Sequence, residues 1–425
     1  MAGTSVQPYL EVVFDKDGDG AAGQRDALTR MGATDLVLFA HGWNSSRSVA
    51  ARLYSAFFAP FPGLVDVGRR VGYAGVFWPS MMFTDEPIPD FEGLAAQLPG
   101  KEPVVGRLTA LVTEKPENEA AFAEFAALLR ELTGVGAEGV GAEGGVAADE
   151  GAPEFLVGDP LEAYAVFAQA LESLVPGESP APGEQPAEQR AGEPAEQPAE
   201  LFGGGLKRLW KGAEEALRQA AYYTMKRRAG TVGERGLGPL LGELARTAPA
   251  TRVHLVGHSM GARLVSFALR GLPSGVRNVK SVTLLQGAFS HYAFASSLPH
   301  DRDASGALRD MQRRVDGPMV ACYSRHDSAL GVIYPLASRL AGDDSRVIGL
   351  DRRWWAVGHD GVQAVPGTRA LTLDEALRSG IPGSGCVNVD AASVVRRGGP
   401  PSGAHSDICH PELARVVLSA GRFGR

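Results

Sequence analysis

RVHLVGHSMGARLVSFAL, residues 252–269, is the stretch from which the rest of the chain can be read. Arg252 to Val256 has the short apolar run of a strand buried in a sheet, and Arg263 to Leu272 has the spacing of a helix packed by one face. Between them stands Gly257-His258-Ser259-Met260-Gly261. A side chain presented at so tight a strand-to-helix corner occupies a strained backbone region, and its neighbours two residues away must not clash. Gly257 and Gly261 meet that requirement. The bare G-x-S-x-G pattern is weak evidence in a chain with 54 glycines. The strand before it and the helix after it give it weight.

Outward from that corner the same alternation recurs. Tyr9 to Phe14 is a short β-prone run closed by Asp15, Asp17, Gly18 and Gly20, and Asp35 to Ala40 (DLVLFA) reads as a strand buried on both faces. Ser45 or Ser46 can cap a helix carrying Val49, Leu53, Phe57 and Phe58. Val71 to Trp78, Val279 to Leu285 and Met319 to Tyr323 read as further strands, and Val347 to Leu350 and Val387 to Val389 as shorter candidates. Pro411 opens a last helix through Leu418. Strands alternating with helices predict an α/β fold, a mostly parallel central sheet with helices on both faces. Residues 1–81 and 206–425 form the two parts of that core.

Residues 82–205 read as a large, mainly helical insertion or cap. Phe122, Phe125, Leu128, Leu129 and Leu132 share one helical face, and Leu161 to Val175 is amphipathic. Gly134 to Gly151 reads as a linker. The tract 176–200 is rich in Pro, Glu and Gln, repeats itself (GEQPAEQ, GEPAEQ) and is expected to be disordered. Leu206, Leu209, Trp210, Ala213, Leu217 and Met225 resume helical spacing. The Lys and Arg residues around them read first as the solvated face of a docked helix and second as a membrane-surface helix.

Composition narrows the function classes. The chain has 425 residues and is 44% hydrophobic, which is ample for a sizeable core. Its net charge is −7, so no overall positive field collects nucleic-acid phosphates. The tract 176–200, with six Glu and one Arg, supplies most of that charge. Three cysteines (Cys322, Cys386, Cys409) make neither a disulfide framework nor a C-x-x-C zinc pattern. Met1 to Leu10 lacks the basic-then-apolar order of a secretory signal, and no apolar run is long enough to span a bilayer. The expectation is a cytoplasmic protein.

The pentad with its strand and helix resembles the nucleophile elbow of the α/β-hydrolase superfamily, whose chain order is Ser, then Asp or Glu, then His. His41-Gly42-Trp43-Asn44, directly after DLVLFA, is similar to that family's oxyanion loop. The resemblance implies Ser259 as nucleophile, Gly257 and Gly261 as support of the elbow, and the Trp43 and Met260 amides as oxyanion donors. It implies an acid just past a later strand, where Asp327 stands, with Asp351 as rival and helix capping as Asp327's alternative role. It implies a base before the final helix. His405 fits best, His410 and His359 compete, and His410 could instead cap the helix at Pro411. His41 and His258, inside the two motifs, read as structural or orienting groups. The cluster His405, Asp407, Cys409 and His410 also suggests metal ligation, but no second ligand group has clear spacing.

The function so implied is that of a serine hydrolase, esterase- or lipase-like, acting on a small ester or acyl substrate. It would cleave a carboxylic ester, or a thioester or amide, through an acyl-enzyme on Ser259, with no cofactor and no metal. The competing reading from another class is a catalytically inactive hydrolase-fold binding or scaffold protein that recruits a partner through its insertion.

Overall fold

DLVLFA is buried at all six positions, Asp35 to Ala40, and forms β2 near the middle of an eight-stranded sheet. The computed structural model describes residues 4–80, 100–135, 153–174, 205–329, 355–399 and 403–424. Its strands are β1 (Tyr9–Val13), β2 (Asp35–Ala40), β3 (Val71–Phe77), β4 (Arg252–His258), β5 (Val279–Leu285), β6 (Pro318–Tyr323), β7 (Arg369–Thr372) and β8 (Gly385–Asp390). They lie in the order β1-β3-β2-β4-β5-β6-β8-β7, and every pairing is parallel. The side-chain alternation of a strand explains the two apolar layers. On β2, Leu36, Leu38 and Ala40 enter one core while Val37 and Phe39 enter the other.

Apart from three four-residue helices, the α-helices among the described residues are α1 (Gln24–Arg30), α2 (Arg47–Phe58), α3 (Glu102–Glu114), α4 (Glu119–Thr133), α5 (Pro160–Leu174), α6 (Gly205–Thr231), α7 (Gly238–Thr247), α8 (Met260–Gly271), α9 (Leu373–Ser379) and α10 (Pro411–Gly421). Buried residues of α2 and α10 fill one face of the sheet, and those of α3, α4, α6 and α8 fill the other. Ser46 is the cap of α2, its Oγ accepting from Val49 N–H. Trp210 of α6 is fully buried, with its ring 4.7 Å from Phe122 and 5.6 Å from Phe125 of α4. The helices of the insertion therefore share one continuous apolar core with the sheet rather than standing apart from it.

The expected strands at Tyr9, Asp35, Val71, Arg252, Val279, Met319 and Val387 all form, with β4 running two residues further than its apolar run, to His258. Helices α1, α3 and α7 have no counterpart among the expected elements, and neither do two elements near the C-terminal end of the chain. β7 is an exposed edge strand, Arg-Ala-Leu-Thr, without an apolar run to announce it. The other is α9, although Thr372-x-x-Glu375 is a capping box and forms as one. The tract 176–200, the candidate strand Val347 to Leu350 and most of the linker after Gly134 lie outside the described residues. Gly134 itself closes α4 in the left-handed conformation, φ 68°. Among the described residues no helix is long and apolar enough to cross a membrane.

The strand order sets the position of the site. The chain runs β1, β2, β3 to one side and then crosses back to β4, so the order reverses between β2 and β4. The loops leaving the C-terminal ends of those two strands stand at this switch point, the usual ligand position in an open parallel sheet. They are the His41-Gly42-Trp43 loop and the Ser259 corner.

Candidate active site

Ser259 has φ 56° and ψ −121°, a conformation that L-residues rarely adopt, between the end of β4 and the first turn of α8. The corner is possible because nothing stands at its flanking glycines. A Cβ on Gly257 would lie 2.4 Å from the Gly261 carbonyl oxygen, and one on Gly261 would lie 2.1 Å from the Ala40 carbonyl oxygen. The strain is held by the backbone on both sides, where Ser259 N–H donates to Leu285 O (3.1 Å) and Ser259 O accepts from Ala288 N–H (3.1 Å). The residue itself is 6% exposed.

Helix α8 is pressed against the chain that precedes it. Residues Val232–Leu237 form a π-helical stretch between α6 and α7. A Cβ on Gly233 would stand 2.2 Å from Leu264 O, and one on Gly271 would stand 1.9 Å from Glu234 O. Backbone meets backbone here, so α8 has little freedom to slide. Arg263, one turn past the corner and 1% exposed, donates from Nε to Lys226 O of α6 (2.8 Å) and lies over the Phe267 ring.

The loop after β2 passes directly against the serine. A Cβ on Gly42 would lie 2.8 Å from Ser259 Cβ and 3.3 Å from its Oγ, so only glycine fits. The loop is anchored by the end of β3. Trp78 Nε1–H donates to His41 O (3.0 Å), Asn44 N–H to Ser80 O (2.8 Å), and Ser80 Oγ–H to Ser45 O (3.1 Å). His41 N–H donates to the Tyr54 hydroxyl (3.0 Å), and the His41 ring stacks on Trp78. Burial pushes the His41 imidazole down to about 4, so it is neutral near pH 7 and donates from Nδ1 to Gly42 O. The Trp43 ring meets Tyr222 of α6 edge-on, with centroids 5.6 Å apart, and Tyr222 O–H reaches Ala288 O. Helix α6 thus packs directly against the loop beside the serine.

From the far end of the chain, the loop between β8 and α10 brings in His405. Its Nε2 lies 2.8 Å from Ser259 Oγ and its Nδ1 lies 2.7 Å from Asp327 Oδ2. Nδ1–H donates to the carboxylate, which leaves Nε2 to accept from the serine hydroxyl. Asp327 is fully buried in the loop after β6, and the His405 side chain is 15% exposed. His258, beside the serine, donates from Nε2 to the backbone carbonyl of His405 (2.8 Å) and so fixes the loop that carries it. Burial, reinforced by the neighbouring His405, pushes His258 down to about 3. It is therefore a neutral tether, the orienting role expected of it.

Of the nine histidines, the one expected as base is the one beside the serine. His410 sits at the N-cap of α10 but makes no capping bond, and its Nε2 donates to Asp407. His359 packs against Trp355, and its buried Nδ1 has no hydrogen-bond partner among the described residues. Asp351 lies outside the described residues. Among the described residues no group of three or more His, Cys, Asp or Glu is arranged to hold a metal ion. Three neighbours of the site escaped the sequence reading: Gln286, Ser80 and Tyr222. Each becomes visible only when strand ends from distant parts of the chain are brought together.

The parallel eight-stranded sheet with its helical layers is an α/β-hydrolase fold, and the strained serine corner stands at the strand-to-helix elbow of that fold. Within it, residues 202–352, about a third of the chain, match the model of a family described as an alpha/beta hydrolase of unknown function (DUF900). That stretch includes the elbow, β5, β6 and Asp327 but neither the Gly42 loop nor His405. No curated protein and no solved structure matches the chain.

Proposed function

We propose that the protein is a serine hydrolase that cleaves a carboxylic ester through an acyl-enzyme on Ser259. The observation that carries this reading is the unbroken relay Ser259 Oγ, His405 Nε2, His405 Nδ1, Asp327 Oδ2, at 2.8 and 2.7 Å, starting from a strained corner. In this mechanism Ser259 Oγ attacks the acyl carbon while its proton passes to His405 Nε2. The carbonyl π electrons move onto oxygen, and the oxyanion is received by the Trp43 and Met260 amides. Met260 begins α8, so its N–H has no acceptor within the helix. Each such donor typically contributes about 10²–10³ in rate. The bond to the leaving alkoxide breaks as the alkoxide takes the proton from His405. Water then repeats the sequence on the acyl-serine, with His405 again as base, and releases the acid.

Asp327 holds the His405 tautomer and offsets the charge of the imidazolium. A neutral His258 at 5.0 Å between ring centroids keeps a second positive charge away from it. The same steps serve thioesters and amides. A fluorophosphonate probe tests the reading: folded protein is expected to form one adduct, on Ser259, and Ser259→Ala to form none. A folded wild-type protein without an adduct would overturn it in favour of the binding or scaffold reading.

A further inference from the structure

We propose that Gln286 is a positioning residue for this site, its side-chain amide fixing the Asp327 carboxylate in the orientation that receives His405. The inference rests on the serine-hydrolase reading above. Gln286 follows the last residue of β5 and is fully buried, with φ 48°. Its Nε2 lies 3.2 Å from Asp327 Oδ2 and 3.4 Å from Gly358 O. Both neighbours are acceptors, so the amide nitrogen must face them, because an oxygen there would meet two oxygens. Its Oε1 is buried and has no hydrogen-bond partner among the described residues.

A residue kept for packing alone would not combine a left-handed backbone, a buried orphan carbonyl and a polar group aimed at a carboxylate. An apolar side chain of the same size would remove the orphan oxygen. What the amide adds is geometry. Asp327 Oδ2 already accepts from His405 Nδ1, and a second donor on the same oxygen defines where that oxygen stands.

The backbone around Gln286 ties the same segment to the rest of the site. Leu285 O and Ala288 N–H bond Ser259, and Gln286 N–H donates to Cys322 O of β6. Gly287 O accepts from Gly358 N–H, while Gly358 O accepts from Ser324 N–H in the loop that carries Asp327. One strand end therefore braces nucleophile and acid together. Among the described residues, the charged and titratable groups facing this point include His405 from the β8–α10 loop and, from residues 357–360, His359 and then Asp360, the latter bonded to His291.

The test is the rate of fluorophosphonate labelling of the full chain from pH 6 to 10, which needs no identified substrate. Gln286→Leu is expected to lower that rate about 10- to 100-fold, the usual worth of one hydrogen bond to a charged group. Gln286→Glu adds a carboxyl whose ionisation is opposed by burial and by Asp327, so at low pH it is protonated and donates as the amide does. It is expected to label at close to the wild-type rate at the acid end and to lose labelling as pH rises, a profile that wild type lacks. A merely structural role predicts no such pH-dependent rescue. Wild-type rates in Gln286→Leu, or a Gln286→Glu rate reduced equally at every pH, would overturn the proposal. Failure of wild type itself to label would instead overturn the serine-hydrolase reading beneath it.

Discussion

At Ser259 the chain accepts a backbone conformation that costs about 1–3 kcal/mol in order to place one hydroxyl against one imidazole. The proposed chemistry needs both groups, so Ser259→Ala and His405→Ala are each expected to reduce kcat by about 10⁶, and the double variant little further. Esterase turnover of the three proteins checks this, and additive losses would show that the two groups do not act as a unit. Asp327→Asn is expected to cost about 10⁴, because an amide facing Nδ1 favours the wrong tautomer. An unchanged rate in Asp327→Asn would remove it as the acid. Asp327 is the residue that the chain order proposes as acid, and its carboxylate lies 2.7 Å from His405 Nδ1.

At the scale of elements, α8 is the part that must not move, and glycines hold it. The π-helical stretch Val232–Leu237 lays Gly233 against the backbone of Leu264, with no space for a methyl group. Gly233→Ala is therefore expected to destabilise the fold by about 1–3 kcal/mol through overpacking, measured by urea unfolding. It should also lower activity per folded molecule, because a displaced α8 carries the Met260 amide and the Ser259 corner with it. A stable variant with full activity would show that this contact is not what seats the helix. α6 extends the argument. Arg228 Nη1 donates to Pro79 O, and Arg263 of α8 donates to Lys226 O of α6, so one long helix is tied both to the segment after β3 and to α8. The basic residues that suggested a solvated or membrane-facing surface are in part internal ties.

At the scale of the whole molecule, three buried imidazoles couple stability to pH. Burial holds His41 down to about 4 and His258 down to about 3, and it also lowers His254, whose Nε2–H donates to Asp35 beneath Arg252 at the opposite end of the sheet. Groups with folded values below the ordinary value near 6.5 take up protons first in the unfolded chain. Their contribution is complete above that value and is lost as pH falls toward the folded values. Between pH 7 and pH 5, His41 and His258 should each remove on the order of 2 kcal/mol of unfolding free energy. Glu215, raised by burial, offsets part of the loss. Denaturant unfolding at the two pH values checks the sign, and unchanged stability at pH 5 would show that these rings are not held neutral.

The sequence by itself determined seven of the eight strands, the strand-to-helix corner at Ser259, and Asp327 and His405 as candidates to stand beside it. Those signals are local: a buried strand is an apolar run, and a strained corner needs glycine two residues either side. Gly42 and the histidines of the two motifs were legible for the same reason. The edge strand β7 was not, because its exposed residues become a strand only by pairing with β8. Nor were Gln286, Ser80 and Tyr222, whose significance lies in what they touch across 41, 35 and 66 positions of chain. The close seating of α6 and the insertion on the sheet was equally hidden, since helical spacing reports a face but not its partner. Only the tertiary structure decided which strand ends meet, and the meeting of strand ends is what sets an imidazole from residue 405 against a hydroxyl from residue 259.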